Sequence, residues 1–276
     1  MEADLSGRTI IITGGSSGIG AAAARSLRRQ GAKIVITGRS DETRKLAEEI
    51  SCDYYLVDFT RFADVRAFAQ NLLAKYPRID VLVNNVGGII ADRRLTEDGH
   101  ETTLQVNHLS GFLLTLLLQE RLEASKAIVI NTSSAANLMG RIKFDDLENE
   151  KNYKSMSAYG AAKLMNILHA MEISQRFKGV WAASFHPGVV GTGFAREGGG
   201  LIRWAYEGLL GRYLMISPEK GADTLLWLIN TQPGKDWQDG EYYYERRPGR
   251  RNPQANPEIA AKLWEVSVQL TGAGKQ

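Results

Sequence analysis

The 276-residue chain holds one cysteine, Cys52. That excludes an intramolecular disulfide and any multi-cysteine zinc site. A lone thiol fits a reducing compartment, so a cytoplasmic protein is expected. The four histidines, His100, His108, His169 and His186, show no metal-ligand spacing with one another or with Cys52, so no metal is expected. Charge of one sign is also scarce. There are 34 basic and 31 acidic side chains and a net charge of +3, which gives no reason to expect nucleic acid as a partner. Long hydrophobic runs are missing. The longest uncharged run, Thr102–Gln119, carries Gln105, Asn107, His108 and Ser110. Its apolar heart, Phe112–Leu118, is too short for a transmembrane span, and a helix buried on both sides fits it better. The opening MEADLSG is acidic and has no apolar core, so no signal peptide is expected. With no repeat and no Pro/Ser-rich linker, residues 1–276 read as a single domain.

What the chain has in excess is glycine. It holds 28, where ordinary usage gives about 19. The rest of the sequence alternates. Short β-branched runs at Thr9–Thr13, Lys33–Thr37, Tyr54–Val57, Val81–Val83, Ala127–Ile130, Val180–Phe185 and Glu241–Tyr244 read as strands. Helical stretches lie between and after them: Gly18–Gln30, Asp41–Ile50, Ala63–Lys75, Gly99–Leu122, Ala158–Phe177, Pro218–Ile229 and Glu258–Leu270. Strands alternating with such helices mean βαβ crossovers. The near-continuous apolar strands mean a sheet covered on both faces. The expectation is one α/β domain, a doubly wound Rossmann fold with six or seven mostly parallel strands. Ligands on such sheets sit beyond the carboxyl ends of the strands, where strand order reverses.

The first strand runs into Thr13-Gly14-Gly15-Ser16-Ser17-Gly18-Ile19-Gly20. Glycines let backbone approach a pyrophosphate closely, and the next helix offers it free N–H groups and a positive dipole end. Between a β-branched strand and an Ala-rich helix, this is a strong dinucleotide signal. The spacing, G-x-x-x-G-x-G, resembles the cofactor loop of the short-chain dehydrogenase/reductase family. Strand two ends at Gly38-Arg39 with no carboxylate at that point. An acidic residue there selects NAD, whereas an arginine accommodates the 2′-phosphate of NADP, so NADP(H) is expected.

Tyr159-Gly-Ala-Ala-Lys163 lies in a helical pattern, where i and i+4 share a face. Free tyrosine, with a pKa near 10, is a poor base at neutral pH, and a fixed cation close by favours the phenolate. The pair can move a proton to or from an alcohol oxygen. The other family marks follow. The resemblance implies that Ser134, with Ser133 as runner-up, hydrogen-bonds the substrate carbonyl. Asn107 corresponds to the asparagine that holds a proton-relay water near the lysine, and a buried amide bracing a helix kink is compatible with that. Asp58-Phe59 matches the adenine side. Asn84-Asn85-Val86-Gly87 departs from the family's NNAG at Val86. Pro187, Gly188, Val190 and Thr192 match the segment lining the nicotinamide. His186 reads as a structural histidine.

The stretch between Ser134 and Tyr159 is longer than usual for the family. With Leu95–Gly99, Val106–Leu109 and Gly111–Thr115, it is similar to the subgroup of retinol dehydrogenases and protochlorophyllide reductases, although Ser110-Gly111 stands where that subgroup has Gly-His. The resemblance implies a substrate lid at 193–216, where Gly198–Gly200 precede an apolar stretch, and residues 246–276 read as a C-terminal tail. The expected activity is hydride transfer between NADPH and a lipophilic ketone or aldehyde. A catalytically silent NADP(H)-binding regulator is the alternative, and a homo-oligomer is expected by analogy only. A sugar-nucleotide epimerase would need a longer C-terminal domain.

Overall fold

The structure is a computed structural model that describes residues 3–188 and 216–273. Val190, Thr192 and all of the expected lid except Ile216 lie outside the described residues. Eight strands form one sheet: β1 (Thr9–Ile12), β2 (Lys33–Gly38), β3 (Asp53–Leu56), β4 (Val81–Asn84), β5 (Ile128–Thr132), β6 (Trp181–His186), β7 (Glu241–Tyr244) and β8 (Arg247–Pro248). Their order is β3-β2-β1-β4-β5-β6-β7-β8. All pairs are parallel except β7–β8. Strand order reverses between β1 and β4, so the loops after those two strands flank the crevice where such folds bind ligands.

Side-chain alternation along the central strands feeds two cores. Ile11, Val35, Leu82 and Val129 face one core, with Leu72, Phe112, Leu164 and Trp264. Ile10, Ile12, Ile34, Ile36, Val83 and Ile130 face the other, with Leu27, Leu225 and Leu228. Helices cover both faces. They are α1 (Gly18–Arg29), α2 (Asp41–Ile50), α3 (Phe62–Lys75), α4 (Thr102–Leu104), α5 (Ser110–Leu117), α6 (Gln119–Ser125), α7 (Ser155–Arg176), α8 (Pro218–Asn230) and α9 (Pro257–Thr271).

Two features differ from expectation. The sheet has eight strands, not six or seven. The extra strand, β8, returns through Glu245 and Arg246, both at positive φ (50° and 62°). Two such residues make a tight hairpin turn, usually flagged by Asn or Gly. Here a Glu-Arg pair hid it. The single helix expected over Gly99–Leu122 is instead α4, a π turn at Gln105–Leu109, then α5, and after Leu118 a separate α6. Asn107 sits in the middle of the π turn. Such bulges recur at functional sites. The segment read as a tail carries β8 and α9, and α9 buries Ala260, Leu263 and Trp264 in the first core.

Candidate active site

The loop after β1 makes room by omitting side chains. Gly14 and Gly18 sit at positive φ, 62° and 51°. A Cβ on Gly20 would lie 2.5 Å from the Gly14 carbonyl oxygen and 2.9 Å from Gly15 Cα. One on Gly15 would meet Ile36 at 2.7 Å, so this loop lies flat on β2. Polar groups hold it. Thr13 Oγ1 donates to the Val83 carbonyl and accepts from the Asn85 and Val86 N–H groups. Asn85 Nδ2 donates to the carbonyls of Thr13 and Gly14 at 3.0 and 3.3 Å. The Asn85 side chain therefore braces the loop. Val86 also packs here, its Cγ2 3.2 Å from where a Gly14 Cβ would be.

Helix α1 is open to an anion. Its N-cap, Ser17, makes no side-chain capping bond, and its first turn has no acidic residue. By contrast, α2 carries Asp41 and Glu42 in its first turn. Free N–H groups and an uncompensated dipole suit a pyrophosphate, so the residues present fit a dinucleotide. Ser16 and Ile19 are half-buried and Ser17 is exposed. Ser16 abuts Gly38, where a Cβ would come 2.5 Å from Ser16 Oγ. Arg39, at the end of β2, is exposed. Where the adenine is expected, Asp58 Oδ1 accepts from Thr60 N–H and Oγ1–H, closing a local turn. The Phe59 ring is buried in the first core, and its carbonyl accepts from Ser110.

The residues expected to be catalytic lie around α7. Lys163 is buried, and Nζ donates to the Thr132 carbonyl at 3.2 Å and lies 5.4 Å from the centroid of the Tyr159 ring. Burial pushes the Lys163 ammonium down to about 7. A Cβ on Gly87 would stand 2.8 Å from Nζ and would strike Asn107 Oδ1, so glycine is needed between them. Tyr159 packs with Ile89 and Ala136. The short 3-10 turn Ala135–Met139 lies directly on α7, since a Cβ on Gly160 would be 2.6 Å from the Ala136 carbonyl. Ser134 is the N-cap of that turn. The two serines differ. Ser133 is buried and its hydroxyl donates to the Lys163 carbonyl at 2.8 Å. Ser134 is half-buried and accepts only a local bond, from Ala136 N–H at 3.2 Å.

Asn107 is committed to structure through its side chain. Oδ1 accepts from Gly88 N–H, and Nδ2 donates to the Gly88 and Thr103 carbonyls, all at 3.0 Å. Its own carbonyl accepts from Asn166 Nδ2, also at 3.0 Å. His186 is a structural residue. It stacks on Tyr244 at 4.9 Å, its Nδ1 accepts from Gly188 N–H, and burial pushes its pKa down to about 4. Pro187 and Gly188 end the described part of this edge, with Gly188 at φ 88° against Ile216.

Sequence reasoning missed the amides behind the site. Asn84 Nδ2 donates to Asn131 Oδ1, and Asn131 Nδ2 donates to the Asn166 carbonyl. Asn252 Nδ2 donates to the carbonyls of Asn137 and Gly140 at 2.8 Å. Gln254 brackets Ile142 through both backbone groups. These bonds tie the expected insert to the segment before α9. Of the four arginines at 246–251, Arg246 pairs with Asp223, and Arg251 with Glu241 at 3.2 Å.

The model of the short chain dehydrogenase family matches residues 8–199. The chain therefore belongs to the short-chain dehydrogenase family, oxidoreductases that use a nicotinamide cofactor. Among relatives, DnrU of Streptomyces sp. (strain C5), a candidate daunorubicin C-13 ketoreductase, is 42% identical, with 97% of this chain and 94% of that protein covered. Mouse retinol dehydrogenase 12 is 36% identical, with 96% of this chain and 87% of the relative covered. Among solved structures, an uncharacterized protein of Mycobacterium paratuberculosis superposes with TM-score 0.79 at 29% identity, covering 98% of this chain and 96% of that one. A metagenomic short-chain oxidoreductase in complex with NADP gives TM-score 0.59 at 28% identity, covering 83% and 93%. No helix among the described residues is long and apolar enough to cross a membrane.

Proposed function

We propose that this protein is an NADPH-dependent carbonyl reductase acting on a lipophilic ketone or aldehyde. The observation that carries the reading is the buried Lys163 ammonium held 5.4 Å from the Tyr159 ring. Bound NADPH would supply a hydride to the carbonyl carbon. Ser134 polarises the carbonyl oxygen and Tyr159 donates the proton to it. Ser134 is chosen over Ser133 because the latter hydroxyl is spent on the Lys163 carbonyl. Lys163 keeps Tyr159 acidic and grips the cofactor ribose. The Asn107 carbonyl takes the water that returns the proton. Most of the rate comes from positioning and fixed dipoles.

Gly14, Ser16, Ser17, Gly18, Ile19 and Gly20 hold the pyrophosphate, Arg39 the 2′-phosphate, and Asp58 and Phe59 the adenine side. Asn85, Val86 and Gly87 line the cleft, with Pro187, Gly188, Val190 and Thr192 at the nicotinamide. The NADP-bound neighbour supports NADP(H). The relatives' names, a daunorubicin ketoreductase and retinol dehydrogenases, support an extended apolar substrate. A soluble cytoplasmic homo-oligomer completes the reading.

The test is NADPH consumption across a panel of lipophilic ketones and aldehydes, with NADH as control. Tyr159→Phe is expected to lower kcat by about 10²–10⁴-fold while leaving NADPH binding nearly intact. Full activity in Tyr159→Phe sinks the catalytic assignment, and equal use of NADH sinks the role given to Arg39.

A further inference from the structure

We propose that Asn166 is a positioning residue for this site. Its amide holds the Asn107 and Thr132 carbonyls together and thereby fixes the Lys163 ammonium beside Tyr159. The inference rests on the reading that Tyr159 and Lys163 carry the proton chemistry. Asn166 lies three residues after Lys163 on α7, so both project from one face. It is buried and uses every hydrogen-bonding group of its side chain. Nδ2 donates to the Asn107 carbonyl on the π turn and to the Thr132 carbonyl at the end of β5, each at 3.0 Å. Oδ1 lies 3.3 Å from His108 Nδ1.

The amide cannot turn over. Burial pushes the His108 pKa down to about 4, so the ring is neutral and carries one N–H. Oδ1 only accepts, so that proton sits on Nδ1, and Nε2 accepts from Ser267 Oγ at 3.1 Å. A flipped amide would set its oxygen against two carbonyls and its NH₂ against the Nδ1 proton.

The Thr132 carbonyl is also the acceptor of Lys163 Nζ, at 3.2 Å. A carbonyl has two lone pairs. Asn166 occupies one, and Lys163 is left with the other. On its far side Lys163 meets Gly87, whose Cβ would be 2.8 Å away. The ammonium is thus confined to one seat between Thr132 and Gly87. Without the amide, Thr132 offers Lys163 a second seat, and the Asn107 carbonyl loses the partner that orients it.

The experiment compares full-length wild type, Asn166→Leu and His108→Leu. Leucine keeps the branched shape of Asn166, though it is bulkier, and removes both donors and the acceptor. Expected for Asn166→Leu is a fall in kcat of about tenfold with KM for the carbonyl substrate changed less than about twofold. The pKa seen in its kcat profile should rise. In the cofactor-free protein, ¹³Cζ-tyrosine NMR, with Tyr159 assigned through Tyr159→Phe, should show the phenol titrating higher by about half a pH unit or more. His108→Leu, which removes the lock on the amide together with the Ser267 bond but keeps both Asn166 donors, should shift both readouts the same way by less. Folded Asn166→Leu with unchanged pH profile and Tyr159 titration overturns the inference, whatever its kcat. If Asn166→Leu fails to fold, His108→Leu decides by the same two readouts. Wild type that reduces no carbonyl with NADPH counts instead against the proposed activity, and the NMR titration still tests the positioning.

Discussion

Between β1 and α1 the chain makes space by leaving side chains out, whereas between β5 and α7 it fills space with amides that grip distant backbone. On the nucleotide side, Gly15 and Gly20 have no room for a Cβ, and the obstacles are backbone or core atoms. On the proposed catalytic side, Asn107, Asn131 and Asn166 reach across three elements with side-chain bonds. A backbone cradle suits a cofactor whose phosphates are the same in every reaction. A side-chain scaffold suits an acid–base pair, whose spacing must hold to fractions of an ångström. The two sides should therefore fail differently.

The largest effect is expected on the nucleotide side. In Gly20→Ala the new Cβ would press on Gly14 oxygen at 2.5 Å and Gly15 Cα at 2.9 Å, and backbone cannot step aside. NADPH affinity, followed by protein fluorescence, should fall by about 100-fold or more, with stability lowered by about 1–3 kcal/mol. Near wild-type affinity would show that the loop is pliable and would dissolve the contrast.

This difference also explains what the sequence disclosed. Gly14 through Gly20 and the Tyr159–Lys163 pair are legible because local spacing alone sets them. Thr9–Ile12 and the other strands are legible because two-sided burial demands unbroken apolar runs. The amide network was not legible, because Asn166 bonds to Asn107 and Asn252 bonds to Asn137 across separations that no local pattern records. The π turn escaped for a similar reason. Gln105–Leu109 fits an α-helical pattern, and tertiary bonds to Gly88 and Asn166 accompany the wider turn. The β8 hairpin escaped because Glu245 and Arg246 adopt positive φ without glycine.

A smaller effect, opposite in sign, is expected from Lys163→Met. Burial holds the Lys163 pKa near 7, against 10.5 for an ordinary lysine. Between those values the unfolded chain binds more protons than the folded one, so stability rises with pH across that window. Below about pH 7 the ammonium is charged in both states and its burial penalty is fully present. Methionine removes the penalty. It orphans nothing, because the Thr132 carbonyl keeps its bond from Asn166. The variant should be inactive yet melt at a higher temperature at pH 7, with the rise in Tm shrinking towards pH 10. A lower Tm at neutral pH would mean that Lys163 is part of the scaffold and not a strain placed on it.

The smallest effect concerns how the insert is fastened to the catalytic side. His100 Nδ1 lies 2.9 Å from Glu148 Oε1 on the insert, and Nε2 lies 3.1 Å from the Leu270 carbonyl at the end of α9. Both partners are acceptors, so both are satisfied only when the ring carries two protons. Its bond to Glu148 raises the His100 pKa above 6.5 despite burial. Burial pushes the Glu148 carboxyl up, but bonds from His100 and the Glu101 N–H outweigh it and hold its pKa below 4.5. A raised histidine pKa means stabilisation that is full below about pH 6.5 and lost as pH climbs through the folded value, whereas the glutamate's share is lost as pH falls through its own lowered value. In urea titrations, wild type should exceed His100→Asn by about 1 kcal/mol near pH 6 and converge on it by about pH 9. NADPH affinity should not follow that convergence, because no bond of the clamp reaches the loop after β1. If affinity did follow it, the two sides of the cleft would be coupled through the insert, and the division between cradle and scaffold would have to be redrawn around α9.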